Sequence, residues 1–114
     1  MNPDIVHLDL SKNNLQDAGV EALLRVLKTT TSLIHLDLMQ NNISTKGAKR
    51  LFKALANNMS LISLHIGNVE NVSKNRVGEK AVPKLNKFLQ ASQIMSFLDL
   101  RSTNLTDSGL ILLC

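Results

Sequence analysis

The sequence predicts an α/β fold built from repeated units. We expect a right-handed solenoid with a parallel β-sheet on its concave face and helices on its convex face. Three observations support this prediction. One pattern recurs four times within 114 residues. Each copy opens with alternating apolar residues, as in a half-buried strand, and continues with apolar residues at helical spacing. A polar turn separates the two parts, and units of this size bury a core only by stacking on one another.

The first two repeats lie 28 residues apart. Residues 8–15 read LDLSKNNL, residues 36–43 read LDLMQNNI, and residues 98–105 read LDLRSTNL. Their shared pattern is L-x-x-L-x-L-x-x-N-x-L. It begins at Ile5, Leu33, Leu61 and Met95.

The third repeat is interrupted. Its strand register holds through Ile66, but the asparagine expected three residues later appears only at Asn75. The helical pattern then resumes in step with the other repeats. We therefore predict an insertion of six residues that forms a surface loop at 67–74, because lengthening a surface loop costs little.

A helix is expected in each repeat. In the second, Ala48, Leu51, Phe52 and Leu55 recur at helical spacing. Pro83 falls in the first turn of the third helix, where a missing N–H is tolerated. A polar residue recurs at each helix start and is expected to accept hydrogen bonds from free amides. The residues at this shared position are Asp17, Thr45, Glu79 and Asp107.

These motifs resemble the leucine-rich repeats of the ribonuclease-inhibitor type, and the resemblance covers essentially the whole chain. It implies a curved parallel sheet backed by full helices. It also implies that the motif residues are structural. Similar repeats form the sensing arrays of intracellular immune receptors and build GTPase-activating proteins.

An asparagine follows the strand in three repeats, at Asn13, Asn41 and Asn75. The turn there leaves backbone groups that the sheet cannot pair, and a buried amide both donates and accepts. We therefore predict a structural asparagine ladder. The fourth repeat has Thr103 at this position, so its turn is expected to be held less well.

We predict one domain, residues 1–114, that is a fragment of a longer array. Solenoids normally carry polar capping units, and none is recognisable at either end, so end-to-end self-association is an expected possibility. Cys114 aligns with core positions of earlier helices and is interpreted as a small core residue.

Composition argues against several classes of function and partner. Aromatic residues make up 3% of the chain, which argues against base stacking, so a nucleic-acid partner is not expected. No apolar run is long enough to span a membrane and no signal peptide is recognisable. The single cysteine favours a reducing compartment, which predicts a cytoplasmic protein. We find no motif for an enzyme, a cofactor or a metal.

The outward strand positions define a candidate partner-binding surface on the concave face. Its residues are His7, Asp9, Ser11, His35, Asp37, Met39, Ser63, His65, Phe97, Asp99 and Arg101. The rim loop adds Asn68, Val69, Glu70, Asn71 and Val72. All three histidines lie on this face. We weighed a zinc site at His7, His35 and Asp37 and a pH-sensitive contact surface against ordinary solvated polar residues, and favour the last.

Positive charge is predicted to lie on the helices, where a solvated lysine face competes with docking of an acidic partner or a nucleic-acid backbone. We predict a non-catalytic scaffold that binds a protein through the concave sheet and the loop at 67–74. The alternatives implied by the resemblance are a regulator of a GTPase, for which Arg101 is the strand-end candidate, and a ligand-sensing array of an immune receptor.

Overall fold

Each repeat begins with a strand of three residues whose central leucine faces inward. A computed structural model describes residues 5–92 and 94–105. Its strands are β1 (His7–Asp9), β2 (His35–Asp37), β3 (Ser63–His65) and β4 (Phe97–Asp99). They form a parallel sheet in chain order. Paired positions differ by 28, 28 and 34 in residue number, so β4 pairs position by position although more chain precedes it.

Helices follow the first three strands. They are α1 (Gln16–Thr29), α2 (Thr45–Leu55) and α3 (Val82–Ala91), with a short 3₁₀ turn at Glu79–Ala81 immediately before α3. Pro83 lies in the first turn of α3, as its missing N–H requires. The middle helix, α2, packs against both α1 and α3. No helix in the described part of the chain is long and apolar enough to cross a membrane.

The core lies between the sheet and the helices and is mainly aliphatic. Leu36 and Leu64, the central residues of β2 and β3, are fully buried. Two aromatic side chains join them: Phe52 of α2 and Phe88 of α3 stack with ring centroids 6.2 Å apart. Parallel strands on one side and helices on the other, sharing one core, confirm the predicted fold class.

The asparagines after β2 and β3 each link one repeat to the previous one. The prediction of a buried ladder is wrong for Asn13, which is exposed and donates to the carbonyls of Leu10 and Ser11 in its own turn. The Oδ1 of Asn41 accepts from the backbone N–H groups of Asn13 at 2.9 Å and Leu15 at 3.2 Å. Its Nδ2 donates to the carbonyl of Leu10 at 2.8 Å. One buried amide thus pairs three backbone groups of the preceding turn, which the sheet leaves without partners.

Asn75 does the same for the second repeat in spite of the insertion before it. Its Oδ1 accepts from the N–H groups of Asn41 and Ile43, both at 3.0 Å. Its Nδ2 donates to the carbonyls of Leu38 at 2.7 Å and Ile66 at 3.0 Å. Asn75 is completely buried. The extra residues of the third repeat therefore leave this cross-link in place.

The inserted segment contributes an asparagine of its own. Asn68 is 3% exposed, and its Oδ1 accepts from the N–H of Asn75 at 2.9 Å. Its Nδ2 donates to the carbonyls of Asn75 at 2.8 Å and Ser102 at 3.0 Å. The hydroxyl of Thr103 donates to Leu100 within its own repeat. Asn68 therefore supplies the cross-link that an asparagine in place of Thr103 would have made.

The polar position at the helix starts has a different role from the predicted one. The carboxylate of Asp17 does not cap α1, which has no side-chain cap. It accepts instead from the N–H of Ser44 at 2.9 Å and from the Ser44 hydroxyl. Ser44 is the residue that caps α2, and the Thr45 hydroxyl donates to the carbonyl of Arg76. Asp17 and Thr45 thus bind the following repeat, because adjacent helix starts lie side by side.

Two further predictions concern residues beyond those described. Asp107 was expected at the fourth helix start and Cys114 in the core. Both lie outside the described residues.

Candidate functional site: the open face of the sheet and its rim

The side of the sheet away from the helices, here called the open face, carries two columns of paired side chains. The first column is His7, His35, Ser63 and Phe97, and the second is Asp9, Asp37, His65 and Asp99. These residues flank the inward leucines, because side chains alternate along a strand. The open face therefore mixes imidazole, carboxylate and aromatic groups at the spacing of neighbouring strands.

The aspartates of the second column hold the turns that leave their strands. Asp9 accepts from the N–H of Ser11 at 2.9 Å and from its hydroxyl at 2.7 Å. Asp37 accepts from the N–H of Met39 at 3.0 Å. The hydrogen bonds from Ser11 stabilise the ionised form and hold the pKa of Asp9 below its ordinary value. The Leu-Asp-Leu motif is thus partly a turn-forming motif.

The two histidines at the β1 end lie beside one another. The rings of His7 and His35 have centroids 5.5 Å apart and are tilted by 43°. Both side chains are exposed. Among the described residues, no group of three or more histidine, cysteine or acidic side chains could hold a metal ion. The two rings offer contact surface and hydrogen-bonding nitrogens to solvent or to a partner.

At the β4 end, an exposed phenylalanine and an exposed arginine are held in fixed positions. Phe97 is 51% exposed, and its ring packs on that of His65 with centroids 4.8 Å apart. The Arg101 guanidinium donates to both oxygens of Asp99, Nε to Oδ1 at 3.0 Å and Nη2 to Oδ2 at 2.8 Å. His65 Nδ1 lies 3.6 Å from the same carboxylate. The cluster thus combines an apolar ring with a positioned cation.

Two opposing effects act on the pKa of the buried Asp99 carboxylate. Burial alone raises its pKa, but hydrogen bonds from the side chain and backbone of Arg101 outweigh burial and hold the pKa below its ordinary value. The neighbouring strand permits this arrangement through Gly67. A Cβ at Gly67 would lie 2.6 Å from Asp99 Oδ1 and 2.7 Å from the Arg101 nitrogen. Only glycine allows so close an approach between the two chains.

The loop at 67–74 folds back along the carboxyl ends of β1 and β2. Gln40, which is 2% exposed, accepts at Oε1 from the N–H groups of Val69 at 2.6 Å and Glu70 at 2.8 Å. Its Nε2 donates to the carbonyl of Val72 at 2.6 Å. Farther along, Lys12 Nζ lies 3.1 Å from Glu70 Oε1. One side chain therefore pins the middle of the loop, and an ion pair ties it to the first repeat.

The pinned loop presents apolar side chains to solvent. Val69 is 58% exposed and Val72 is 62% exposed. Asn71 is exposed between them. Exposed branched side chains on a loop held by three hydrogen bonds form a preformed apolar edge beside the open face.

Three predicted partner-binding residues are buried. Asn68 was assigned to the rim, but it is buried because its amide is used between the third and fourth repeats. Ser63 and Asp99 were assigned to the surface, yet both are buried. Asp99 can influence a partner only by holding Arg101. The exposed residues of the predicted set at this end are Phe97 and Arg101, with His65 partly exposed.

Sequence reasoning missed Gln40 and Lys12, the two residues that hold the loop. Both precede an asparagine of the ladder, and both have positive φ, 54° and 60° respectively. Their sequence positions gave no sign of this role, because it depends on the path of a loop that starts 27 residues after Gln40 and 55 residues after Lys12.

Four parallel strands in chain order, with a helix after each of the first three, define a repeat protein with a one-sided sheet. A family model described as Leucine Rich repeat matches residues 2–24, 30–52 and 92–114. These matches cover more than half of the chain, which therefore belongs to the leucine-rich repeat family. The third repeat, with its insertion, falls between the second and third matched segments.

Comparison with solved structures gives the same fold. The chain is similar to the tropomodulin C-terminal domain of Caenorhabditis elegans, with a TM-score of 0.58 over 97% of this chain and 81% of that one. Sequence identity is 9%, so the likeness concerns the fold alone. A search of curated protein sequences finds no match to this chain.

Proposed function

We propose that this chain is a non-catalytic protein-interaction module that binds a partner through the open face of its sheet and the adjoining rim loop. The observation that supports this most is the cluster at the β4 end. Phe97 is exposed yet packed on His65, and Arg101 is exposed yet held by Asp99. Aromatic and arginine side chains contribute most to protein interfaces.

Preorganisation strengthens the proposal. Binding costs free energy for every side chain or loop that must be ordered on association. Here the Asp99 carboxylate already orders Arg101, and Gln40 already orders the loop that carries Val69 and Val72. A partner that contacts these groups meets surfaces that need little further ordering. This favours contact over catalysis, because the same hydrogen bonds occupy the polar groups that chemistry would need.

The test is affinity capture with the whole protein and matched variants. Phe97→Ala and Arg101→Ala remove the two exposed anchors, and Met59→Ala removes a side chain that is 68% exposed in the α2–β3 connection. We expect one partner to be retained by the wild type and by Met59→Ala, and its affinity to fall about 30-fold for Phe97→Ala, the loss typical of an interface anchor. Retention of that partner by both anchor variants, or equal loss with Met59→Ala, would contradict the proposal.

The regulator-of-a-GTPase alternative would use Arg101 as a catalytic arginine. Its guanidinium is occupied by both oxygens of Asp99, so it would have to leave this pair to reach a nucleotide. No observation on the described residues favours this function or a ligand-sensing array over simple protein binding.

Two finer assignments complete the proposal. The full helices α1, α2 and α3 support repeats of the ribonuclease-inhibitor type. A single cysteine in 114 residues supports a cytoplasmic location, because reducing compartments do not favour disulfide frameworks.

A further inference from the structure

Three cations line one exposed face of α2. Lys46, Arg50 and Lys53 are spaced i, i+4 and i+7, which places them within about 60° of one another around a helix that turns about 100° per residue. All three are exposed. The helix sequence TKGAKRLFKAL contains no acidic residue. The face is therefore cationic along its whole length.

The next helix, together with the 3₁₀ turn that precedes it, repeats this arrangement. Lys80, Lys84 and Lys87 have the same i, i+4, i+7 spacing, and the insertion has not changed their phase relative to the core. The completely buried Leu85 stands five residues after Lys80, as the completely buried Leu51 stands five residues after Lys46. Since α3 packs against α2, the two triplets lie side by side.

Together the six residues form a two-by-three array, here called the basic grid. Neighbours along one helix are about 5–6 Å apart at Cβ, and neighbours across packed helices are about 8–10 Å apart at the helix axes. Arg25 of α1 occupies the position equivalent to Lys53 and extends one row of the grid. Positive groups at this density attract an extended anion far better than an isolated lysine does.

Little negative charge balances the grid. Arg50 pairs with Glu21 of α1. Glu79 is the acidic residue next to the grid in the third repeat, beside Lys80. The open face and its loop, in contrast, carry Asp9, Asp37, Glu70 and Asp99. The helix side is therefore the positive side of the molecule.

The side chains around the grid indicate which anion fits. The large apolar side chains that are exposed are Val6, Met59, Val69, Val72, Ile94 and Phe97. None of them lies on α2 or α3, so the described part of this face offers no apolar group to insert into a lipid bilayer. No aromatic ring stands among the six residues to stack on a base. Five of the six are lysines, which lack the planar fork that grips phosphate in two places.

We propose that the basic grid is a second docking surface, on the opposite side of the molecule from the open face, for an acidic polypeptide segment. Carboxylates spaced along an Asp/Glu-rich chain pair one at a time with separate lysines, and this needs no fixed geometry. The proposal does not rest on the function of the open face, because the two surfaces share no residue.

The test is fluorescence anisotropy of a labelled 20-residue polyglutamate peptide at 50 mM salt. Lys53→Glu/Lys87→Glu reverses two grid positions. Lys28→Glu/Arg76→Glu reverses two exposed positions outside the grid, so either double variant takes the formal net charge from +4 to 0. We expect about tenfold weaker binding for the grid variant, because two exposed attractions become repulsions, and less than about threefold for the control.

Lys53→Gln/Lys87→Gln provides a milder change if charge reversal unfolds the protein, and we expect it to weaken binding about threefold. Circular dichroism checks the fold of each variant. Equal loss in the grid and control variants would overturn the proposal, as would no binding by the wild type. Tighter, grid-dependent binding of a 20-base-pair DNA duplex or of phosphatidylserine vesicles would also overturn it and assign the grid to phosphate.

Discussion

Asparagine amides cross-link strand-end turns of successive repeats in this protein, since one amide both donates and accepts. Asn41 and Asn75 do so at the positions given by the repeat pattern, and Asn68 does so from within the insertion. The insertion and the threonine at position 103 are therefore complementary. The third repeat carries the amide that the fourth lacks.

Asn68→Ala should destabilise the fold although it lies in an inserted loop. It removes three hydrogen bonds and leaves the N–H of Asn75 buried without its acceptor. We expect the free energy of unfolding to fall by about 1–3 kcal/mol, measured by urea titration. Asn71→Ala, in the same loop but exposed, is the control and should change it by less than about 0.5 kcal/mol. Equal effects of the two substitutions would show that Asn68 is an ordinary loop residue.

Asp99→Asn should show a pH-dependent loss of stability. Hydrogen bonds from Arg101 outweigh burial and lower the pKa of Asp99 in the folded state, so the ionised carboxylate stabilises the folded state at pH values above the pKa that the group has in the unfolded chain. That contribution disappears as the pH falls through the folded pKa. We expect the variant to be less stable than the wild type by about 1–2 kcal/mol at pH 7 in urea titrations, with the gap narrowing as the pH falls below the unfolded pKa, about 3.9 for an aspartate. A gap of constant size from pH 7 to pH 3 would contradict an ionised Asp99 held by Arg101.

The sequence predicted which side chains recur in each repeat, but not all of their hydrogen-bond partners or their burial. Asn13, Asn41 and Asn75 follow from the pattern because each stands at a fixed distance from a helix that the pattern also predicts. The partner of Asp17 did not follow, because Ser44 belongs to the next repeat and the sequence pattern describes each repeat separately. Burial of Ser63 and Asp99 likewise depends on neighbouring side chains that periodicity does not specify.

At the scale of elements, the rim loop is fixed along the carboxyl edge of the sheet. It leaves β3, crosses the carboxyl end of β2 at Gln40 and reaches the first repeat at Lys12. The sequence predicted the length and position of this loop from the break in the repeat. It could not predict the direction in which the loop runs, because the loop is far along the chain from Gln40 and Lys12, the residues that hold it.

Gln40→Ala should release the loop while leaving the sheet intact. It removes the acceptor of two loop amides and the donor to a loop carbonyl. We expect the amides of Val69 and Glu70 to exchange at least about tenfold faster in hydrogen-exchange measurements, because opening one region costs less than global unfolding. Gln90→Ala, on exposed α3 surface, should leave both rates unchanged. Unchanged rates in Gln40→Ala would mean that other contacts hold the loop.

At the scale of the molecule, three sets of cross-links run parallel to the stack of repeats. They are the sheet, the asparagine amides after the strands, and the Asp17 and Thr45 links at the helix starts. A 28-residue unit cannot bury a core alone, so these links matter most where the repeat is irregular. The third repeat depends on them most, because its six added residues could otherwise shift the register of β4.

The central claim is that the third repeat remains in line with its neighbours and its loop merely projects from the edge. Amide hydrogen exchange at Asn41, Ile43 and Asn75 tests this most directly, since the acceptors of these amides are the buried side-chain oxygens of Asn75 and Asn68. We predict slow exchange at all three, at rates close to those of the core amides of β2. Exchange of all three at the rate of the exposed residues Asn71 and Val72 would contradict it.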